Sequence, residues 1–226
     1  MYSRNRVGLI YGSGSSQGGR PEAPRHFITV NLLRLASVLA LSVTSTNLVS
    51  QTVASRRGQH TFTSPDRVFQ FTYPESLVLC GKEHTEDSCL TYIPICDETA
   101  AACVAYRTDK YKGYNFEGAA FSVNEVPEAN TESKCLESPD SESHSESIRG
   151  VGFKASRRSS AGLGHGLSEY VYRAFHQNMC YELDIRIATT SLGAYDAGRV
   201  KAFTPKDEQK VYAFFRHVLD SFKFLK

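Results

Sequence analysis

The sequence predicts an α+β fold in which a mostly antiparallel sheet carries a C-terminal amphipathic helix, an arrangement like an α/β/α sandwich braced by disulfides. Three observations favour this prediction. Residues 180–190 alternate apolar and polar side chains, as a strand with one buried and one solvated face does. Residues 204–219 carry a capped helix with one apolar stripe. Six cysteines, an even number, lie beyond residue 79, which is typical of an exported protein with disulfides.

The N-terminal 54 residues indicate export rather than fold. Residues 1–29 are rich in Gly, Ser and Arg, and we predict a disordered leader that is not translated, with synthesis starting near Val30. Residues 30–54 are predicted to be a signal peptide, because the apolar run after Arg34 is far shorter than the ~20 residues of a membrane span. Cleavage is expected after Ser50 or Ala54. The alternative is an amphipathic helix of the mature domain.

Charge excludes one class of function. The chain has 26 basic and 24 acidic side chains, but five arginines and a single acid lie in residues 1–50, so the remainder is slightly acidic. Nucleic-acid binding needs a concentrated positive surface, and none is expected here. The mature chain, residues 60–226, is therefore predicted to be one soluble periplasmic or extracellular domain without a membrane span.

The first strands of that domain are marked by aromatic alternation. Residues 69–74 place Phe69, Phe71 and Tyr73 on one face and end at Pro74, and residues 61–63 are expected to pair back as a hairpin arm. Residues 103–107 and 119–126 are predicted strands, the second with Phe121 and Val123 directed inward.

The six cysteines allow 15 pairings, and their order along the chain does not choose among them. We predict that Cys89–Cys96 is nested inside Cys80–Cys103 and that Cys135–Cys180 joins distant segments. A zinc site using Cys80, His84, Cys89 and a later cysteine is the alternative, although no Cys-x2-Cys pair is present.

Residues 137–147 are acidic, rich in serine and without a large apolar side chain, so we predict a disordered, solvated loop. Calcium capture by Asp140, Glu142 and Glu146 is the alternative, with a spacing unlike that of an EF-hand.

The strongest strand signals come next. Residues 170–176 and 180–190 are predicted to form a hairpin around a three-residue turn at 177–179. The helix follows, with Thr204 as N-cap, Pro205 in its first turn and Asp207 completing a capping box. A stripe of apolar residues faces the sheet, and residues 221–225 form a terminal strand or extended cap; the stripe comprises Val211, Phe214, Phe215, Val218 and Leu219.

Two glycine-containing strings do not indicate catalysis. Residues 14–18 match the nucleophile-elbow string of hydrolases but lie in the leader, outside any strand–turn–helix context. Residues 162–166, Gly-Leu-Gly-His-Gly, resemble a phosphate loop without its lysine or following helix, and we interpret them as a flexible hairpin-approach loop.

The order of elements resembles the PsbP-like family, whose α/β/α sandwich includes the extrinsic subunit of photosystem II and unrelated binding proteins. The residues that carry the resemblance are the 69–74 strand and the helix at 211–219 leading into residues 221–224. The resemblance implies a non-catalytic, partner-binding role, but the matching positions are core positions and identify no binding residue. The cysteine-rich 80–103 segment and the acidic loop depart from the family pattern.

We therefore expect an exported, non-enzymatic binding or assembly domain whose partner is an extracytoplasmic protein, with no cofactor and no metal. The alternative is a secreted enzyme of hydrolase type that uses His176 with Glu182 or Asp184, and it requires these side chains to line one cleft.

Overall fold

The structure, a computed structural model, describes residues 58–81, 89, 91–106, 111–137 and 142–225. The predicted leader and signal peptide, and residues His84 and Asp140, lie outside the described residues. All described residues belong to one compact unit, Asn47–Lys226.

Two antiparallel sheets and two helices make up the described residues. The small sheet has the order β1 (Gln59–Thr63), β2 (Phe69–Pro74) and β10 (Lys223–Phe224). The large sheet has the order β3-β4-β5-β9-β8-β7-β6. Its strands are β3 (Leu77–Cys80), β4 (Ala102–Tyr106), β5 (Phe116–Glu125), β6 (His144–Ile148), β7 (Val151–Gly162), β8 (His165–His176) and β9 (Met179–Thr190). The helices are α1 (Glu132–Leu136) and α2 (Pro205–Ser221). The predicted fold class is confirmed.

The C-terminal helix begins where the sequence predicts. The Thr204 side chain accepts from the Asp207 amide, and the Asp207 carboxylate accepts from the Thr204 amide, so a complete capping box starts α2. The helix buries Val211, Phe215 and Leu219 against the sheet, and β10 then pairs with β2. The chain thus closes by joining its last strand to one of its first.

The large sheet has an inner and an outer face. The inner face carries the main apolar core, formed with α2 and the small sheet, and its fully buried side chains include Phe69, Phe71, Phe121, Leu183 and Phe215. The outer face is covered by residues 91–101, which we call the strap, and in part by α1, which packs on β8 and β9.

This cover corrects the prediction that one face of β9 is solvated. Asp184 is fully buried, and Arg186 is paired with Asp97 of the strap. The alternation along β9 could not reveal this cover, because a polar face buried under a strap carries the same residue types as a solvated face. The strap has no periodic signal of its own in the sequence.

The disulfides also correct the expected nesting. The structure joins Cys80 to Cys89 and Cys96 to Cys103, in place of Cys89–Cys96 inside Cys80–Cys103. Cys96 of the strap is bonded to β4, and Cys89, which precedes the strap by two residues, is bonded to β3. In the nested pairing, Cys89–Cys96 would join the strap only to the segment just before it. The third bond joins Cys135 of α1 to Cys180 of β9, the pair named from the sequence.

Four of the strands and helices went unpredicted, namely β3, β6, β7 and α1. Residues 144–147, expected to belong to a disordered loop, form most of the edge strand β6, whose polar side chains suit a sheet edge. β7 and α1 were not predicted, since β7 is short of large apolar residues and α1 has only five residues.

The turn between β8 and β9 has two residues rather than three, with positive φ at both Gln177 and Asn178.

Candidate functional site

One end of the large sheet gathers the large apolar side chains that the described part of the chain leaves exposed. They are Tyr92, Leu163, Leu192 and Tyr195, with exposed fractions of 71%, 91%, 48% and 37%. Together with His165 we call them the apical surface. Clustering of exposed apolar groups at one end, with the other large apolar residues at least partly buried, is typical of an interaction site.

The β7–β8 hairpin places Leu163 at the tip of this end. Leu163 and Gly164 form its two-residue turn, with φ of 51° and 82°. A turn with positive φ at both positions favours Asn, Asp or Gly, and an L-residue with a branched apolar side chain is strained there. The chain therefore holds an exposed leucine at a position that disfavours it both by conformation and by solvation.

The segment after β9 is fastened to the same tip. The Ser191 amide donates to the Gly164 carbonyl at 2.6 Å, and a 3-10 turn follows at Leu192–Ala194. The Tyr195 hydroxyl then donates to Thr190 Oγ1 at 3.2 Å. These two bonds fix Leu192 and Tyr195 beside the hairpin.

His165 connects the hairpin to the strap. Its ring stacks on Tyr92 with centroids 4.1 Å apart and an interplanar angle of 13°. Its Nδ1 lies 2.7 Å from Oε1 of Glu117. The β5–β9 register shifts between Phe116 and Gly118, and such a bulge re-aims the extra residue, here Glu117, which reaches across β9 toward β8.

The strap can approach β5 closely because residue 118 is glycine. A Cβ added to Gly118 would lie 2.8 Å from Thr91 Cγ2 and 3.0 Å from Ile95 Cδ1. Tyr92 therefore reaches His165 only as long as this strand position carries no side chain.

A shallow depression of about 490 Å³ lies between these groups. Its lining combines glycine backbone, three hydroxyl side chains and one imidazole: Ala161, Gly162, Gly164, His165, Gly166, Thr189, Thr190 and Ser191. It offers backbone and hydroxyl hydrogen bonds next to exposed apolar groups, the combination found in protein-binding surfaces.

The residues of the hydrolase alternative do not converge. His176 pairs in register with Met179 and stacks on Phe224, 4.0 Å between centroids, on the inner side of the sheet. Glu182 and Asp184 belong to the outer face, because side chains alternate along β9. The sheet itself thus separates the histidine from both carboxylates.

Both carboxylates belong to an ionic network beneath the strap and α1. Glu182 pairs with Arg173 at 2.5 Å and Arg158 at 4.0 Å. Asp184 Oδ2 accepts from Asn124 at 3.0 Å and from Arg186 at 3.4 Å. Burial, with a smaller contribution from Glu182, raises the pKa of Asp184 to about 7 against the opposing effect of Arg186.

The sequence offered a zinc site and a calcium site as alternatives. The sulfurs of Cys80, Cys96 and Cys103 lie within 4.8 Å of one another, but each is bonded in a disulfide, and thiolates rather than disulfides bind zinc. Of the proposed calcium ligands, Glu146 forms an ion pair with Arg216 on α2.

Sequence reasoning missed the apical surface. Residues 162–166 were interpreted as a flexible loop, whereas they are the end of β7, the turn and the start of β8. One signal was available, namely a leucine between two glycines at a turn that favours asparagine. No local signal could place Tyr92, since only the fold brings the strap onto His165.

The described residues contain no helix long and apolar enough to cross a membrane. No protein-family model matches the chain, and no curated protein matches it.

Solved structures do match, at low identity. Cyanobacterial PsbP (CyanoP) from Synechocystis matches at 9% identity and a TM-score of 0.42, over 76% of this chain and 95% of that chain. The Ran-binding protein Mog1p of Saccharomyces cerevisiae matches at 9% and 0.42, over 74% and 96%. A protein of Bacteroides thetaiotaomicron matches at 12% and 0.41, over 74% of this chain, which spans about half (48%) of that one. A PsbP structure is thus among the matches, as the resemblance predicted, and identities this low concern the fold alone.

Proposed function

We propose that this chain is an exported, non-enzymatic binding or assembly module that binds an extracytoplasmic protein through the apical surface. The observation that carries the proposal is the concentration of Tyr92, Leu163, Leu192 and Tyr195 at one end of the sheet. Tyrosines are enriched among the residues that dominate protein–protein affinity, and a buried leucine contributes about 1.5–3 kcal/mol.

The conformation of Leu163 supports a binding role over a merely structural one. A left-handed L-residue costs roughly 1–2 kcal/mol, and its exposed side chain returns nothing to the free domain. Burial of Leu163 by a partner would offset that cost, which gives a physical reason for a leucine at this position.

The positions of the titratable residues favour binding over hydrolysis. His176 lies on the opposite side of the sheet from Glu182 and Asp184, and both carboxylates are held by arginines. A general acid–base pair must reach one substrate, and these groups have no common cleft.

The binding surface is tested by affinity capture from the native host with quantitative mass spectrometry. Leu163→Asp places a charge at the centre of the apical surface, and Ala213→Asp, on the exposed side of α2, is the matched control. We expect proteins retained by wild type and Ala213→Asp to be depleted at least tenfold with Leu163→Asp, about 1.4 kcal/mol. Equal capture by all three chains would refute the assignment.

Export is tested by the intact mass of the protein recovered from its host, with and without reduction. Three disulfides and the apolar run after Arg34 support a chain shortened to a start near Gln51 or Ser55, with no thiol available to alkylation before reduction. A full-length chain with free thiols would contradict export.

A further inference from the structure

Two of the three disulfides lie side by side on the outer face of the large sheet. One joins Cys80 to Cys89, and the other joins Cys96 to Cys103. The sulfurs of Cys80, Cys96 and Cys103 lie within 4.8 Å of one another, although Cys80 is not bonded to the other two. When either disulfide is opened, a thiolate is therefore left next to a sulfur of the other disulfide.

The strand register holds Cys80 and Cys103 opposite each other. They are partners in the antiparallel pair β3–β4, and β4 is held on its other side by β5. The Cα separation of directly opposed residues, about 4.5–5.5 Å, lies in the range that a disulfide spans. A Cys80–Cys103 bond therefore requires no change in strand pairing, and it does not depend on the position of the strap.

The four cysteines of these disulfides are shielded from water. All of them are buried, and Ile95, Ala105 and Ala120 belong to the same apolar cluster. The rate of thiol–disulfide exchange depends on the access of the attacking thiol to the disulfide. A thiolate of Cys80 or Cys103 needs no access from solvent, so its attack on the neighbouring bond is favoured over attack by a second external thiol.

We propose that the two disulfides form a thiol–disulfide exchange site, at which one dithiol detaches both Cys89 and Cys96 from the sheet. In the first step a dithiol reduces Cys80–Cys89: two electrons and two protons pass to the protein, and the reagent becomes a cyclic disulfide. In the second step the Cys80 thiolate attacks the Cys103 sulfur. The Cys80–Cys103 bond forms, the Cys96–Cys103 bond breaks, and Cys96 leaves as a thiolate that takes up the proton released by Cys80.

The product is the same whichever disulfide is reduced first. When Cys96–Cys103 is opened, the Cys103 thiolate attacks Cys80 and releases Cys89. The exchange step transfers no net electrons, so one pair of electrons removes two covalent links. The cross-strand bond is favoured once one link is open, because it leaves the strap its conformational freedom, whereas Cys96–Cys103 requires the strap to stay on the sheet.

The exchange acts on the apical surface through Tyr92. This residue lies between Cys89 and Cys96 in sequence, and it stacks on His165 of that surface. After the exchange, the strap packs on the sheet through non-covalent contacts alone, such as its ion pair with Arg186. Reduction is therefore expected to weaken binding at the apical surface, a consequence that rests on the function proposed above.

The exchange is tested on the purified, oxidised wild-type protein without a partner. Limiting dithiothreitol, an acid quench, alkylation and non-reducing peptide mapping identify the thiols of molecules that have lost one of the two disulfides. We expect about half or more of these molecules to carry alkyl groups on Cys89 and Cys96 and to contain the cross-strand bond. Alkyl groups confined to the two native pairs, or found on Cys89 together with Cys103, would overturn the proposal.

Single variants decide the question without a reductant, and they apply when both disulfides are always reduced together. In Cys89→Ser, the exchange places the free thiol on Cys96 rather than on Cys80. Cys96→Ser is the mirror case, with the thiol expected on Cys89 rather than on Cys103. Cys80→Ser is the matched control, because it removes a sulfur that the exchange requires, so its thiol is expected on Cys89 with Cys96–Cys103 retained. Free thiols confined to Cys80 and Cys103 in the first two variants would reject the exchange site.

Affinity capture distinguishes the failure of this proposal from the failure of the proposed function. When the oxidised wild type captures no partner at the apical surface, the proposed function fails, and the thiol pattern still decides the exchange site. When it does capture a partner, the exchanged and alkylated isomer is expected to retain that partner at least about tenfold less. Equal retention by both forms would refute the coupling between the disulfides and the apical surface.

Discussion

Asp184 shows how the covered outer face shapes single residues. Its side chain has no exposed area, and burial raises its pKa to about 7 although Arg186 and Asn124 both contact it. The folded protein therefore binds a proton at Asp184 that the unfolded chain, with a pKa near 3.8, releases. Asp184 therefore stabilises the folded protein fully below about pH 4. This contribution falls as pH rises from about 4 and is lost once the pH has passed about 7.

Asp184→Asn tests this linkage. Asparagine keeps the shape and hydrogen bonds but does not titrate, so the variant is expected to lose less stability than wild type between pH 5 and pH 8, by up to about 2–3 kcal/mol. Urea unfolding at both pH values measures the difference. The same pH dependence in both proteins would contradict the burial of an uncharged carboxyl.

Leu163 illustrates a conflict between stability and binding. Leu163→Asn suits the left-handed turn and removes an exposed apolar group, so we expect a gain in unfolding free energy of roughly 0.5–1 kcal/mol. The same variant is expected to bind the captured partner proteins more weakly than wild type does. Thermal unfolding together with affinity capture checks both effects, and a destabilised variant would argue against strain at this turn.

At the scale of elements, the strap is the feature that local sequence reasoning could not supply. The strands β2, β8 and β9 and the helix α2 were predicted, because their alternation, prolines and caps are local signals. The strap has no periodicity, and its position depends on two disulfides and on Gly118. The apical surface was missed for the same reason, since Tyr92 and His165 are 73 residues apart in sequence and meet only through the fold.

Gly118→Ala tests the close packing of the strap. The new methyl group would meet Thr91 Cγ2 at 2.8 Å, so the strap is expected to shift outward and the protein to lose about 1–3 kcal/mol of stability. Gly152→Ala on β7, where an added Cβ meets nothing within 4 Å, is the matched control. Urea unfolding of both variants measures the effect; equal stabilities would contradict the close approach.

The positions of Cys80 and Cys103 predict which disulfide forms when their present partners are removed. Cys80 and Cys103 are cross-strand partners in β3 and β4, and the Cα separation of such pairs lies in the range that a disulfide spans. The double variant Cys89→Ser with Cys96→Ser is therefore expected to form a Cys80–Cys103 bond on oxidation, with the strap released. Peptide mapping without reduction identifies the bond, and two free thiols after oxidation would show that the strands do not align as described.

For the molecule as a whole, the two faces of the large sheet have different tasks. The inner face carries the apolar core with α2 and the small sheet, and the outer face carries an ionic network closed by the strap. Both faces are used for folding, and within the described residues the large exposed apolar side chains lie at the apical surface. We therefore assign recognition to the rim of the sheet rather than to a cleft in its face.

The most direct test of this central claim is site-specific photo-crosslinking in the native host, with a benzophenone side chain at position 163 and, as control, at position 213. We expect a discrete adduct with another protein from position 163 and none from position 213. Adducts of the same kind from both positions, or none from position 163 while the protein is folded and exported, would contradict the claim that the apical surface binds a partner.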